Sequence, residues 1–230
     1  MSRISRTLIA VGTLGLAAAM TAPAALAEQG DWLIKGGATL VSPDSKNLNL
    51  GDLGDVPDVG LVTNAALEVD DGTSFGFTIT YMMTDNWAVE LLAAVPFKHD
   101  IKLAATVDGE RFSGKIAETK HLPPTLSLQY HFIPDGMFSP YIGAGLNWTI
   151  FSSEKIDPLL ADGLRLDDSF GFAAQAGLDL NFGDAWLLNF DVRYIDISTK
   201  AKINVEGEWA PLGDVGIDPF VYSIMLGYRF

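Results

Sequence analysis

The chain has 230 residues, a formal net charge of −14 at pH 7 and no cysteine. The length suits one domain, and the lack of cysteine excludes disulfide scaffolds, thiol catalysis and covalent haem attachment. The acidic balance argues against a nucleic-acid partner.

The N-terminal segment has the features of a cleaved secretory signal peptide. Arg3 and Arg6 carry its positive charges, Leu8–Met20 is its apolar core, and Ala25-Leu26-Ala27 is a small-residue cleavage site. The apolar core is too short to span a membrane. The predicted parts are a signal peptide at 1–27 and an exported domain at 28–230.

The exported domain contains eight stretches in which large apolar residues occupy every second position. This period is typical of a β-strand with two unlike faces, and each stretch has at least the roughly 9–11 residues of a tilted membrane strand. The predicted strands are Asp31–Ser42, Thr73–Met83, Trp87–Phe97, His121–Phe132, Pro140–Phe151, Asp168–Phe182, Trp186–Ser198 and Asp218–Phe230.

The connections between these strands alternate in length. The short ones are 84–86, 133–139 and 183–185, and the long ones are 43–72, 98–120, 152–167 and 199–217. A soluble β-sandwich, the alternative, has no reason to sort its loops in this way. We therefore predict an all-β fold, an eight-stranded antiparallel up-and-down transmembrane β-barrel with short periplasmic turns and four longer extracellular loops.

Aromatic residues cluster beside the short turns, as expected for a periplasmic girdle in a membrane barrel. They are Trp87, Tyr130, Phe132, Tyr141, Phe182, Trp186, Tyr228 and Phe230.

Five stretches of this pattern resemble the outer membrane protein W (OmpW) family of Gram-negative bacteria. They are Lys120–Tyr130, Pro140–Thr149, Asp168–Asp179, Asn189–Ile197 and Asp218–Phe230. The resemblance covers nearly the whole exported domain. It implies an outer-membrane location and a monomeric eight-stranded barrel, with a narrow hydrophobic lumen thought to pass small apolar compounds.

Residues out of phase with the lipid-facing positions are expected to fill the lumen. Near the short turns they form a mixed-charge cluster that we name the polar floor. Its predicted members are Lys35, Glu90, Gln129, His131, Asp179, Asp191, Arg193 and Arg229. Paired charges could simply fill the barrel, and such a cluster would also block a continuous water channel.

The outer half of the lumen is predicted to be small or apolar and to accept a ligand. Its predicted ligand-binding residues are Val41, Thr78, Ala94, Pro96, Pro123, Thr125, Phe151, Ile195, Ile197 and Val221. An apolar funnel above a polar floor suits a small hydrophobic molecule rather than ions or sugars. Ordinary packing without a vacancy is the alternative.

Prolines occur at similar heights on the third and fourth predicted strands. Pro96 and Pro123-Pro124 cannot donate to a sheet ladder and are avoided in central strands. One hypothesis is a lateral opening from the lumen to the membrane between these strands. The alternative is that the prolines end both strands above the bilayer.

The sequence does not predict catalysis, a metal site or a cofactor. Hydrolytic chemistry needs a nucleophile, a base and an orienting carboxylate, and nothing marks such a set. His99 and His121 flank the second long loop, and we interpret them as polar surface because no third metal ligand is evident. The acidic first loop, 43–72, is interpreted as solvated, with cation-mediated binding of lipopolysaccharide as the alternative.

The predicted function is therefore passive uptake of small apolar molecules through a narrow hydrophobic channel. The alternatives are a surface-interaction barrel that serves as an adhesin or as a receptor for bacteriocin or phage, and, less favoured, a lipid-modifying enzyme. The expected partners are outer-membrane lipid, lipopolysaccharide, a small hydrophobic ligand and the barrel assembly machinery, which would read the C-terminal strand ending at Phe230. We expect a monomer.

Overall fold

A computed structural model describes residues 28–43, 48–56, 60–158, 160–183 and 185–230. The predicted signal peptide lies outside these residues. The described residues form β1 (Trp32–Ser42), β2 (Leu48–Gly51), β3 (Gly54–Val56), β4 (Gly60–Val69), β5 (Gly72–Met82), β6 (Trp87–Ala94), β7 (Phe97–Val107), β8 (Glu110–Leu122), β9 (Thr125–His131), β10 (Phe138–Ile156), β11 (Gly163–Leu166), β12 (Ser169–Phe182), β13 (Trp186–Ile195), β14 (Ser198–Val205), β15 (Glu208–Gly216) and β16 (Phe220–Arg229).

Eight of these strands close into an antiparallel barrel, in the order β1, β5, β6, β9, β10, β12, β13 and β16. The ring closes where β16 pairs with β1, with Ile34 opposite Tyr228 and Val41 opposite Val221. Closure removes both free sheet edges, as a β-sheet that spans a membrane requires. The predicted fold class is confirmed. No helix among the described residues is long and apolar enough to cross a membrane.

The barrel strands expose apolar side chains on the outside and bury their inward side chains, many of which are polar, which is the reverse of a water-soluble barrel. In β16 the outward Tyr222, Ile224 and Leu226 are each 45–55% exposed, whereas the inward Ser223 and Met225 are at most 5% exposed. Exposed apolar side chains in this number suit lipid, not water.

Aromatic contacts mark the short-turn end of the barrel. The rings of Trp87 and Tyr130 lie 5.0 Å apart, and those of Trp186 and Tyr228 also lie 5.0 Å apart. The predicted girdle is wrong for Tyr141, which is 2% exposed and lies inside the barrel. Its neighbour Ile142 takes the lipid-facing phase of β10, so Tyr141 must point inward.

The long connections continue the strands beyond the barrel as two sheets rather than irregular loops. The first outer sheet consists of β2, β3, β4, β7, β8 and the outer part of β10, and the second consists of β11, β14 and β15. Asp108-Gly109 forms the turn between β7 and β8, with φ of 50° and 89°. Both residues have positive φ, as a two-residue hairpin turn of type I′ requires.

One register shift changes which residues face inward. The ladder between β6 and β9 ends at Leu92 opposite Thr125, and the ladder between β7 and β8 begins at Phe97 opposite His121. Four residues, 93–96, separate these pairs on the β6–β7 side, but only three, 122–124, separate them on the β8–β9 side. The extra residue means that even-numbered residues face inward in β6 and odd-numbered residues face inward in β7. Pro96, predicted to line the lumen, is therefore exposed, and Phe97, predicted to face lipid, is 1% exposed.

Candidate functional site

Glu90 lies at the centre of the polar floor and binds two cations. Its carboxylate is 2.9 Å from Lys35 Nζ and 2.8 Å from Arg193 Nη2, and all three side chains are at most 2% exposed. Thr80 donates a further hydrogen bond of 3.0 Å to Glu90. These residues come from β1, β5, β6 and β13, so the cluster ties opposite walls of the barrel together.

A second branch of the floor runs through Tyr141. Its hydroxyl donates to Asp191 at 2.9 Å and accepts from Asn189 at 3.0 Å, and Asn189 also donates to Asp179 at 2.7 Å. His131 stacks on the Tyr141 ring at 5.0 Å. The sequence analysis placed Tyr141 in the girdle and therefore missed that it links these carboxylates. The position of Tyr141 in the inward phase of its strand would have predicted that it lies inside the barrel.

All eight residues predicted for the polar floor are buried inside the barrel. Gln129 lies 3.2 Å from His131, and Arg229 lies nearer the short-turn end, where it donates to Asn181 at 3.0 Å. Three acidic and three basic side chains balance in charge, which offsets much of the penalty for burying them. The balanced members are Glu90, Asp179, Asp191, Lys35, Arg193 and Arg229.

The middle of the lumen is filled. The space enclosed by the floor, Thr78, Leu92 and Met225 is too small to hold a water molecule. A packed and charged layer of this kind interrupts any water-filled path along the barrel axis.

Above the floor, apolar side chains pack into one cluster, which we name the apolar layer. It consists of Val41, Phe97, Phe151, Ala173, Ile195, Ile197, Ala201, Val215, Ile217 and Val221, with Ala94 and Leu166 packed against it. Six of the predicted ligand-binding residues thus come together here. Thr78 lies lower, at the floor, and Pro123 and Thr125 lie at the junction of β8 and β9.

The barrel wall has a gap in its ladder beside the apolar layer. Residues 93–96 on one side and 122–124 on the other have no strand pairing with each other. On the other side of β8 and β9, their neighbour β10 continues past the prolines, and Trp148 N donates to Pro124 O at 3.0 Å. The gap therefore lies in the seam that contains Pro96, Pro123 and Pro124.

A cavity of about 70 Å³ lies between the two outer sheets, and we name it the vestibule. Its walls are almost entirely apolar, with Leu67, Ile101 and Ile116 from the first sheet and Leu166 and Val215 among those from the second. Phe151 lines the vestibule and also belongs to the apolar layer, so the two adjoin. This apolar space therefore lies above the predicted funnel, whose own residues are packed together.

His99 and His121 both line the vestibule. Their rings stack at 4.7 Å with an interplanar angle of 21°, and they are 1% and 3% exposed, so the interpretation as polar surface is wrong. Burial, and to a smaller extent the neighbouring His99, lowers the pKa of His121 from 6.5 to about 3. Burial also lowers the pKa of His99, which favours the neutral form of its ring.

This barrel with its two outer sheets can be compared with known proteins. The sequence model of the OmpW protein family matches residues 28–230 of this chain. The chain belongs to the OmpW family. Outer membrane protein W of Vibrio cholerae serotype O1 is 41% identical over 226 residues, which cover 95% of this chain and 97% of the relative.

Two solved structures of similar proteins agree with the fold. The crystal structure of OprG from Pseudomonas aeruginosa has a TM-score of 0.74 and 36% identity, covering 88% of this chain and 97% of that one. The solid-state NMR structure of AlkL in DMPC bilayers has a TM-score of 0.63 and 28% identity, covering 88% and 91%. This OmpW-family protein is therefore an outer-membrane β-barrel, and its relatives are named as outer membrane proteins rather than enzymes.

Proposed function

We propose that this OmpW-family barrel takes up small apolar molecules through its outer half and releases them sideways into the membrane. The observation that carries the proposal is the division of the interior into an apolar vestibule and layer above a packed, charged floor. Such an interior favours apolar molecules over ions or sugars. The floor leaves them no aqueous path to the periplasm, so another exit is required.

The gap in the ladder supports a lateral exit between β6–β7 and β8–β9. Unpaired backbone is tolerated at membrane depth only where protein or a cavity covers it, and inward-facing side chains cover this gap. Ala94 and Pro123 are the inward residues beside it, and Phe97 and His121 form the first paired position above it. We assign to these residues the role of a gate that opens by side-chain movement.

The predicted ligand-binding residues have different roles in this proposal. Val41, Phe151, Ile195, Ile197 and Val221 form the apolar surface over which the molecule moves, and Thr78 marks its lower limit above the floor. Thr125 fixes the junction of β8 and β9 against β10, because its hydroxyl donates to Pro123 O at 3.1 Å and accepts from Asn147 Nδ2 at 3.0 Å.

A reversible cross-link across the gap tests the proposed route. The chain has no cysteine, so Ala94→Cys with Pro123→Cys introduces a single cysteine pair. The matched control, Val89→Cys with Leu128→Cys, places a pair on directly opposed residues in the paired part of the same seam. Uptake of naphthalene is measured in vesicles whose outer leaflet contains lipopolysaccharide.

The oxidised gap pair is expected to abolish most of the uptake, and reduction is expected to restore it. The oxidised control pair is expected to leave uptake unchanged. Equal uptake by the oxidised and reduced gap pair would refute lateral exit.

The proposed partners follow from the same surface. Outward apolar residues contact lipid, and lipopolysaccharide surrounds the outer sheets. Phe230 is 67% exposed at the rim, where the barrel assembly machinery could read it. We propose that the barrel acts as a monomer.

A further inference from the structure

The vestibule contains two polar atoms for which the described residues provide no partner. They are Nε2 of His99 and Nε2 of His121, and each is buried with no hydrogen bond to protein. A buried polar atom without a hydrogen bond is unfavourable, because it has lost its hydrogen bonds to water and gained none in return. Two such atoms on the wall of one cavity indicate a ligand that can hydrogen-bond there.

The hydrogen bonds of His99 define what kind of partner its Nε2 needs. Nδ1 lies 2.6 Å from the backbone oxygen of Asp70, and a carbonyl oxygen can only accept, so Nδ1 carries the proton. In the neutral ring, which burial favours, Nε2 is therefore an acceptor. Gly72 lies beside this edge of the ring, where a Cβ would lie 2.8 Å from Nε2.

A metal ion does not fit the pair. The described residues contain no group of three or more His, Cys, Asp or Glu side chains placed to bind one. The two rings are also nearly parallel, so their in-plane lone pairs do not converge on one point.

We propose that the vestibule selects small apolar molecules that carry one hydroxyl or N–H group, which donates to the imidazole pair of His99 and His121. The apolar walls receive the rest of the molecule. A volume of about 70 Å³ is several times the roughly 10–15 Å³ that one water needs, so a short alcohol fits. This inference rests on the proposed uptake of apolar molecules and narrows their class.

Two isomeric probes, 1-hexanol and 1-methoxypentane, test the inference, because they share a formula and only the alcohol has a donor. The protein, labelled with ¹⁵N-histidine, is placed in lipid bilayers, and the Nε2 resonances are followed as each probe is added. Probe concentrations in the bilayer are corrected for partitioning. The variants are His99→Phe and His121→Phe, which keep an aromatic ring, and the control is Thr119→Val, which alters another buried polar wall residue.

The alcohol is expected to shift an Nε2 resonance and to bind about threefold to tenfold more tightly than the ether, the range of one neutral hydrogen bond. At least one of the two Phe variants should lower the affinity for the alcohol to that for the ether, whereas Thr119→Val should preserve the difference. Equal affinities, or Nε2 resonances that 1-hexanol leaves unchanged because water alone occupies the site, would overturn the inference.

The vesicle assay separates this inference from the function on which it rests. If both probes are taken up equally, the uptake function stands and donor selection fails. If the protein speeds uptake of neither probe nor of naphthalene, the uptake function itself fails.

Discussion

Replacing Glu90 by glutamine is expected to destabilise the barrel strongly. Glu90 binds Lys35 and Arg193 at 2.9 and 2.8 Å, with all three side chains at most 2% exposed. The substitution keeps the size of the side chain but leaves one uncompensated positive charge among the six balanced groups of the floor. Removing one partner of a buried ion pair costs about 3–5 kcal/mol.

The free energy of unfolding can be measured by urea titration in phosphatidylcholine vesicles, followed by the fluorescence of the five tryptophans. Two further variants serve as controls. Adding Lys35→Met to Glu90→Gln restores neutrality and should recover a large part of the loss. Glu68→Gln makes the same chemical change at the exposed pair with Arg111 and should cost less than about 1 kcal/mol.

Two results would refute this reasoning. One is a loss below about 1 kcal/mol for Glu90→Gln, which would mean that water reaches the floor and screens its charges. The other is a loss of unfolding free energy in the double variant that equals the sum of the losses in Glu90→Gln and Lys35→Met measured singly, which would mean that Lys35 and Glu90 do not interact.

Two other predictions concern packing and assembly. Gly177→Ala should destabilise the barrel by about 1–3 kcal/mol, because a Cβ there would meet the Tyr141 ring. In the control Gly114→Ala the new Cβ meets nothing within 4 Å, so the free energy of unfolding should change by less than about 0.5 kcal/mol. Equal urea midpoints for the two variants would contradict this prediction. Deleting Phe230 should lower the yield of heat-modifiable, membrane-inserted barrel more than Arg229→Ala does, and equal yields would show that the terminal aromatic residue has no special role in assembly.

The eight barrel strands could be predicted from sequence because their two faces meet different surroundings. Lipid outside and a filled lumen inside impose alternation on each strand, and β16 shows it along its whole length. The polar floor residues are buried for the same reason, because they occupy the inward positions of their strands. Tyr141 was misplaced because its closeness to a turn was weighed above its inward phase.

The outer end was harder to predict. The exposed β15, for example, lacks the two-faced environment that produces alternation, so 199–217 was expected to be a loop. At Pro96 and Phe97 an extra residue reverses the phase, and its position depends on strand pairing that local pattern does not encode. The stacking of His99 on His121 depends on the register of the β7–β8 hairpin, in which Phe97 lies opposite His121 and His99 opposite Thr119.

The most direct test of the account measures apolar uptake and ion conduction on the same reconstituted protein. Vesicles with lipopolysaccharide in the outer leaflet report the influx of naphthalene by its fluorescence, and a planar bilayer reports ionic current. The account predicts faster naphthalene influx than in protein-free vesicles and no sustained conductance, because the polar floor closes the lumen. A steady conductance that rises with salt concentration, or naphthalene influx equal to that of protein-free vesicles, would contradict it.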